Sequence, residues 1–83
     1  MKIIKYPLST EKSIRMMESE NKLTFIVDKK ATKAEIKKEF EESFKVKVDK
    51  VNTMITHEGV KKAFVKLNMD TPAIDIATQL GLI

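Results

Sequence analysis

The chain has 83 residues, of which 16 are Lys or Arg and 12 are Asp or Glu, for a net charge of +4, with one histidine and no cysteine. This length predicts one domain with a small core, and the missing cysteines exclude a disulfide framework, a thiolate metal site and a thiol nucleophile; a small domain without such staples also favours an intracellular compartment. No apolar run approaches the roughly 20 residues of a membrane span, and Met1 to Tyr6 is too short for the apolar core of an export signal.

In chain order, Ile3 to Tyr6 forms a short strand stopped by Pro7. Ser9 or Thr10 caps a helix running to about Glu20, with Glu11 favourable in its first turn, and Asn21 breaks it. Leu23, Phe25 and Val27 alternate with Thr24, Ile26 and Asp28, which predicts a strand. Thr32-Lys33-Ala34-Glu35 has the pattern of a capping box, and the helix behind it places Ile36, Phe40 and Phe44 on one face. Val46 to Thr56 and Val60 to Met69 read as strands joined by a tight turn at Thr56-His57-Glu58-Gly59. In the last strand Ala63, Val65, Leu67 and Met69 point one way, and Lys62, Phe64, Lys66 and Asn68 the other. Thr71 caps a final helix begun by Pro72 and ended by Gly81, with Ile74, Ala77 and Leu80 as its buried stripe.

The order β-α-β-α-β-β-α predicts an α+β domain with a mainly antiparallel sheet and helices packed on it. Ile26, Val48, Met54 and Phe64 fall on the sheet face opposite the core, so either a second helix or a partner covers part of that face. The basic excess is local. Residues 1–15 carry Lys2, Lys5, Lys12 and Arg15 against Glu11; residues 47–69 carry Lys47, Lys50, Lys61, Lys62 and Lys66 against Asp49 and Glu58. The N-terminal arm and the hairpin are therefore either a solubilising surface or a surface for an anion.

Catalytic chemistry has little to stand on. His57 lies alone in a turn, without companions at metal-ligand spacing. Ser9, Ser13 and Ser43 sit at a cap or on helices with no nucleophile elbow, and no glycine-rich phosphate loop is present. No catalytic residue, metal or cofactor is expected, and no small-molecule substrate. Nucleic-acid binding is better supplied. Lys2, Lys5, Lys12 and Arg15 in the arm, and Lys61, Lys62 and Lys66 in the hairpin, can contact phosphates. Ser9, Thr10, Asn52 and Thr53 add neutral donors, and Lys33 and Lys37 form a second tier. Asn52 is a poor strand former; it either pairs with a neighbour, marks a bulge or faces a ligand. Phe64 is a single aromatic where RNA-recognition sheets offer several, so packing under a helix accounts for it better than base stacking does.

Taken together, certain stretches carry a resemblance. Pro7 is followed by Thr10-Glu11-Lys12, then by Asn21-Lys22-Leu23-Thr24-Phe25-Ile26-Val27-Asp28 and Ala31-Thr32-Lys33-Ala34-Glu35-Ile36-Lys37. Val46 to Val48, Val51-Asn52-Thr53, Gly59, Lys61-Lys62-Ala63, Ala73, Asp75, Ile76, Ala77 and Gly81 follow. In order and spacing they resemble the family of large-subunit ribosomal protein twenty-three, in its archaeal and eukaryotic type, over nearly the whole length. The resemblance implies four antiparallel strands in order 1-2-4-3 with helices on both faces, a sandwich related to the ferredoxin-like folds. It implies a non-enzymatic component of the cytoplasmic ribosome that binds large-subunit ribosomal RNA at the rim of the polypeptide exit tunnel. Implied protein partners are the neighbouring ribosomal protein twenty-nine and exit-site factors such as signal recognition particle. Glu11 is carried over as a docking residue, or else serves its helix dipole. Bacterial members extend the last hairpin into the tunnel and eukaryotic members often extend the N-terminus; the short turn here, and the absence of a long basic arm, imply an archaeal type. The alternative is a small α+β protein-interaction module with generic RNA affinity.

Overall fold

The structure, a computed structural model, describes residues 3–82. The elements are β1 (Ile4–Pro7), α1 (Glu11–Glu20), β2 (Lys22–Val27), α2 (Lys33–Phe44), β3 (Val48–Ile55), β4 (Lys61–Leu67) and α3 (Ala73–Gln79). The strands form one antiparallel sheet in the order β1-β2-β4-β3. Pro7 closes β1 rather than standing beyond it, because this is an edge strand and the missing N–H costs nothing there.

Both long helices start on reciprocal caps. Thr10 Oγ1 accepts from the Ser13 N–H at 3.1 Å while Ser13 Oγ accepts from the Thr10 N–H at 2.8 Å. At α2, Thr32 Oγ1 accepts from the Glu35 N–H at 3.2 Å, and Glu35 Oε1 accepts from the Thr32 N–H at 3.0 Å. Each cap satisfies two amide donors that the helix itself leaves unpaired. Asn21 and Lys45 end these helices in the left-handed conformation, at φ 56° and 54°. Gly59 takes φ 83° in the β3–β4 turn, where a Cβ would be strained.

Strand alternation gives the sheet two faces. Leu23, Phe25 and Val27 on β2, Ala63, Val65 and Leu67 on β4 and Val51 on β3 point to the first face, and all are buried. There α2 packs on them through Ile36 and Phe40, the Phe40 ring meeting Phe25 edge-on with centroids 5.4 Å apart. Burying each such side chain contributes on the order of 1.5–3 kcal/mol. Met17 of α1 and Ala73, Ile76 and Ala77 of α3 belong to the same core. The second face carries Thr24 and Ile26 of β2, Lys62, Phe64 and Lys66 of β4, and Lys50, Asn52 and Met54 of β3. The start of α1 borders this face: Thr10, Lys12, Ser13 and Met16 line a pocket with Thr24, Met54, Lys62 and Phe64. Helices thus flank both faces of an α+β sandwich.

Four local expectations change. Val48 lies in the core rather than on the second face, because the β3–β4 register shifts between Val48 and Lys50 and turns Val48 to the same side as Val51. Strand β4 ends at Leu67, so Met69 falls in a turn and is exposed. The buried stripe of α3 is Ala73, Ile76 and Ala77, with Leu80 packed against it, while Ile74 points outward. Pro72, not Thr71, is the residue before α3, and it supplies no side-chain cap; the Ala73 N–H donates instead to Asn21 Oδ1 at 2.6 Å.

Candidate nucleic-acid interface

Register builds the second face in rows. Lys22, Lys66 and Lys50 lie side by side across β2, β4 and β3. Thr24, Phe64 and Asn52 form the next row, and Ile26, Lys62 and Met54 the one after. Like charges directly opposed across strands are destabilising, so a three-lysine row is a cost that a bound anion would remove. Among the described residues Lys22 is within 3.3 Å of Glu20, whereas Lys12, Lys50, Lys62 and Lys66 have no carboxylate partner within 4.0 Å. The Asn52 side chain is half-buried and makes no hydrogen bond within the described chain, so neither a pairing nor a bulge explains it; the register shift lies earlier, between Val48 and Lys50.

This face gathers Thr10, Lys12, Asn52, Lys62 and Lys66 from the residues expected to bind. Other expected residues lie elsewhere. Lys61 points to the first face, and its Nζ donates to the Ala31 carbonyl at 2.6 Å. Thr53 pairs with Ala63 on that same face. Lys33 and Lys37 are exposed on α2, across the sheet from the lysine row. Lys5 is exposed on edge strand β1 and lines a groove with Tyr6, Lys29 and Gly59, at the end of the sheet nearest the hairpin turn. Arg15 is engaged with Glu11 at 2.8 Å in an exposed pair one helical turn apart, so the docking candidate and one RNA candidate share a contact. Ser9 is exposed just before the Thr10 cap. Lys2 lies outside the described residues.

Lys22 and Lys50 are not among the residues expected to bind, although Lys50 counts in the basic excess of residues 47–69. Charge counting along the chain does not pair them with Lys66, since they come from three different strands; the alternation of Lys50 with Val51 was the available signal. Chemistry other than binding finds no support in side-chain grouping. No cluster of three potential metal ligands occurs among the described residues. The exposed His57 is 3.8 Å from Glu58 in the turn. Glu35 has its carboxyl held below the ordinary value, first by the Thr32 backbone N–H and then by the Thr32 side chain, which is a capping effect. No helix of the described chain is long and apolar enough to cross a membrane.

Comparison with known proteins decides the family. A model of ribosomal protein L23 matches residues 2–75. The chain belongs to the ribosomal protein L23 family. The large ribosomal subunit protein uL23 of Trypanosoma brucei brucei is 46% identical over 82 residues, which is 99% of this chain and 50% of that protein. The chain therefore spans about half the length of the curated relative. The L23 family is a structural, non-enzymatic one, and the second face of this sheet presents cations and hydrogen-bonding side chains.

Proposed function

We propose that the chain is a structural component of the large ribosomal subunit, in the cytoplasmic ribosome, and that it holds ribosomal RNA on the second face of its sheet. The observation that carries this reading is the Lys22–Lys66–Lys50 row, flanked by Lys62 and Lys12 on one side of the molecule. Phosphates neutralise the repulsion within the row, and Thr10 and Asn52 add neutral contacts. Lys33 and Lys37 serve a separate RNA segment, since the sheet lies between them and the row. Family membership supports placement at the rim of the polypeptide exit tunnel beside ribosomal protein twenty-nine. Nothing in the four-residue hairpin turn Thr56–Gly59 would reach into a tunnel, which agrees with an archaeal type. Glu11, exposed on α1, is the proposed contact for exit-site factors such as signal recognition particle, which would compete with Arg15 for its carboxylate.

The test is binding to large-subunit ribosomal RNA, against an unrelated structured RNA, over a salt series. Preference for ribosomal RNA at physiological salt is expected. Replacing Lys62 or Lys66 by Gln should flatten the log–log salt slope by roughly 0.7–0.9 each. Equal affinity for both RNAs, collapsing with salt, would sink the reading and favour a protein-interaction module.

A further inference from the structure

We propose that the pocket between the start of α1 and the second face receives one unpaired nucleobase of the bound RNA, its ring against Phe64 and its flanking phosphates on Lys12 and Lys62. This rests on the RNA-binding reading above and specifies what that face recognises besides charge.

Three features of the pocket lead there. Its walls are apolar and adaptable: Leu8, Met16, Met54 and the half-buried Phe64 line it, and thioether side chains repack readily around an inserted group. Phe64 is set apart from the other phenylalanines, since Phe25, Phe40 and Phe44 pack on one another on the α2 side, while Phe64 makes no ring pair among the described residues. The third feature is Thr24. Its side chain lines the pocket, the residue is 5% exposed, and Oγ1 is buried without any hydrogen-bond partner. A buried orphan hydroxyl costs stability in the free protein. It is also closed to water, so once the adaptable walls shift to admit a base edge the hydroxyl gains a hydrogen bond and has none of its own to solvent to lose. Lys12 and Lys62 line the same pocket without carboxylate partners, which suits the phosphates on either side of an extruded base. RNA recognition by proteins commonly works this way, with unstacked bases laid on aromatic rings and their edges hydrogen-bonded. An apolar peptide side chain would use the walls but leave the hydroxyl unsatisfied and the two cations idle.

The experiment compares wild type with Phe64→Leu, Thr24→Val and Lys62→Gln, each binding large-subunit ribosomal RNA over the same salt series, together with base-modification footprinting of the bound RNA. Base stacking on an aromatic ring accounts for roughly 5- to 150-fold in affinity when the ring is removed. Phe64→Leu should therefore weaken binding at least about fivefold with an unchanged salt slope, whereas Lys62→Gln flattens the slope. Thr24→Val keeps the β-branched shape and removes the orphan hydroxyl. It should unfold at the same or a higher temperature than wild type and yet bind RNA more weakly, a combination that a purely structural role does not produce. At least one unpaired base should lose its protection in Phe64→Leu alone while the rest of the footprint persists. If ribosomal RNA is preferred and Lys62→Gln flattens the slope, but Phe64→Leu and Thr24→Val bind and protect as wild type does, the base pocket is wrong and the RNA face stands. If wild type shows no preference for ribosomal RNA, the functional reading fails and the pocket proposal fails with it.

Discussion

Replacing Asn21 should destabilise this protein strongly, although the residue lies outside the apolar core. Its amide Nδ2 donates toward three carbonyls, those of Leu67 at 3.3 Å, Asn68 at 3.3 Å and Thr71 at 3.1 Å. Its Oδ1 accepts the first N–H of α3 from Ala73 at 2.6 Å. The side chain thus ties the end of α1 to the end of β4 and the start of α3, and its own backbone sits at φ 56°. Two N–H groups and one acceptor amount to three hydrogen bonds at about 1 kcal/mol each, so Asn21→Gly should cost about 2–4 kcal/mol. Glycine retains the left-handed backbone; Asn21→Ala should cost about 1 kcal/mol more. Asn21→Asp keeps the acceptor for Ala73 but turns a carboxylate toward three carbonyl oxygens, and should be no better than glycine. Against a total stability of about 5–15 kcal/mol these are large losses, with a melting temperature lower by on the order of 10–25 °C. Urea and thermal unfolding followed by circular dichroism measure them. An Asn21→Gly protein within about 0.5 kcal/mol of wild type would refute the claim that this side chain anchors α3.

Other expectations follow from single contacts. The Glu39 carboxylate accepts the Ile3 N–H at 3.0 Å and the Ile4 N–H at 2.8 Å, so Glu39→Ala should cost about 1–3 kcal/mol, and amide exchange should accelerate in β1 well beyond β4. Lys61 and Lys62 should separate cleanly: Lys61→Ala lowers stability by about 1–3 kcal/mol through its lost bond to Ala31 and leaves the RNA salt slope alone, while Lys62→Ala flattens that slope by roughly 0.7–0.9 and barely alters unfolding. Equal effects on both readouts would contradict the opposed faces. Glu35 has a folded-state pKa lowered from 4.5 by its bonds to Thr32, so its stabilisation is complete above that value and is lost as pH falls through the lowered one. A pH series of melting temperatures should show wild type ahead of Glu35→Gln at neutral pH and the gap closing at acid pH; a gap that widened on acidification would reverse the assigned sign.

Much of this was legible in the residues themselves. Capping signals at Ser9 or Thr10 and at Thr32-Glu35, period-two alternation from Leu23 to Val27 and from Lys62 to Leu67, and the glycine turn at Gly59 each act within a few residues, so local physics specifies helix, strand and turn. Family membership followed from the order of such pieces. The same alternation, extended one residue back, would have set Lys61 with Ala63 and away from Lys62, but counting charge along the chain pooled the two lysines. Folding alone decided the rest. The lysine row joins residues of three strands whose neighbours in sequence carry no trace of one another, and the shift near Asp49 that buries Val48 exists only as a pairing of β3 with β4. Asn21 reads as a helix breaker along the chain, yet its partners stand 46 to 52 residues away. Ile74 and Ile76 are equally apolar, and which one is buried depends on how α3 meets α1 and the core. Periodicity records which residues share a face of one element; only the packing of elements against each other determines which faces meet.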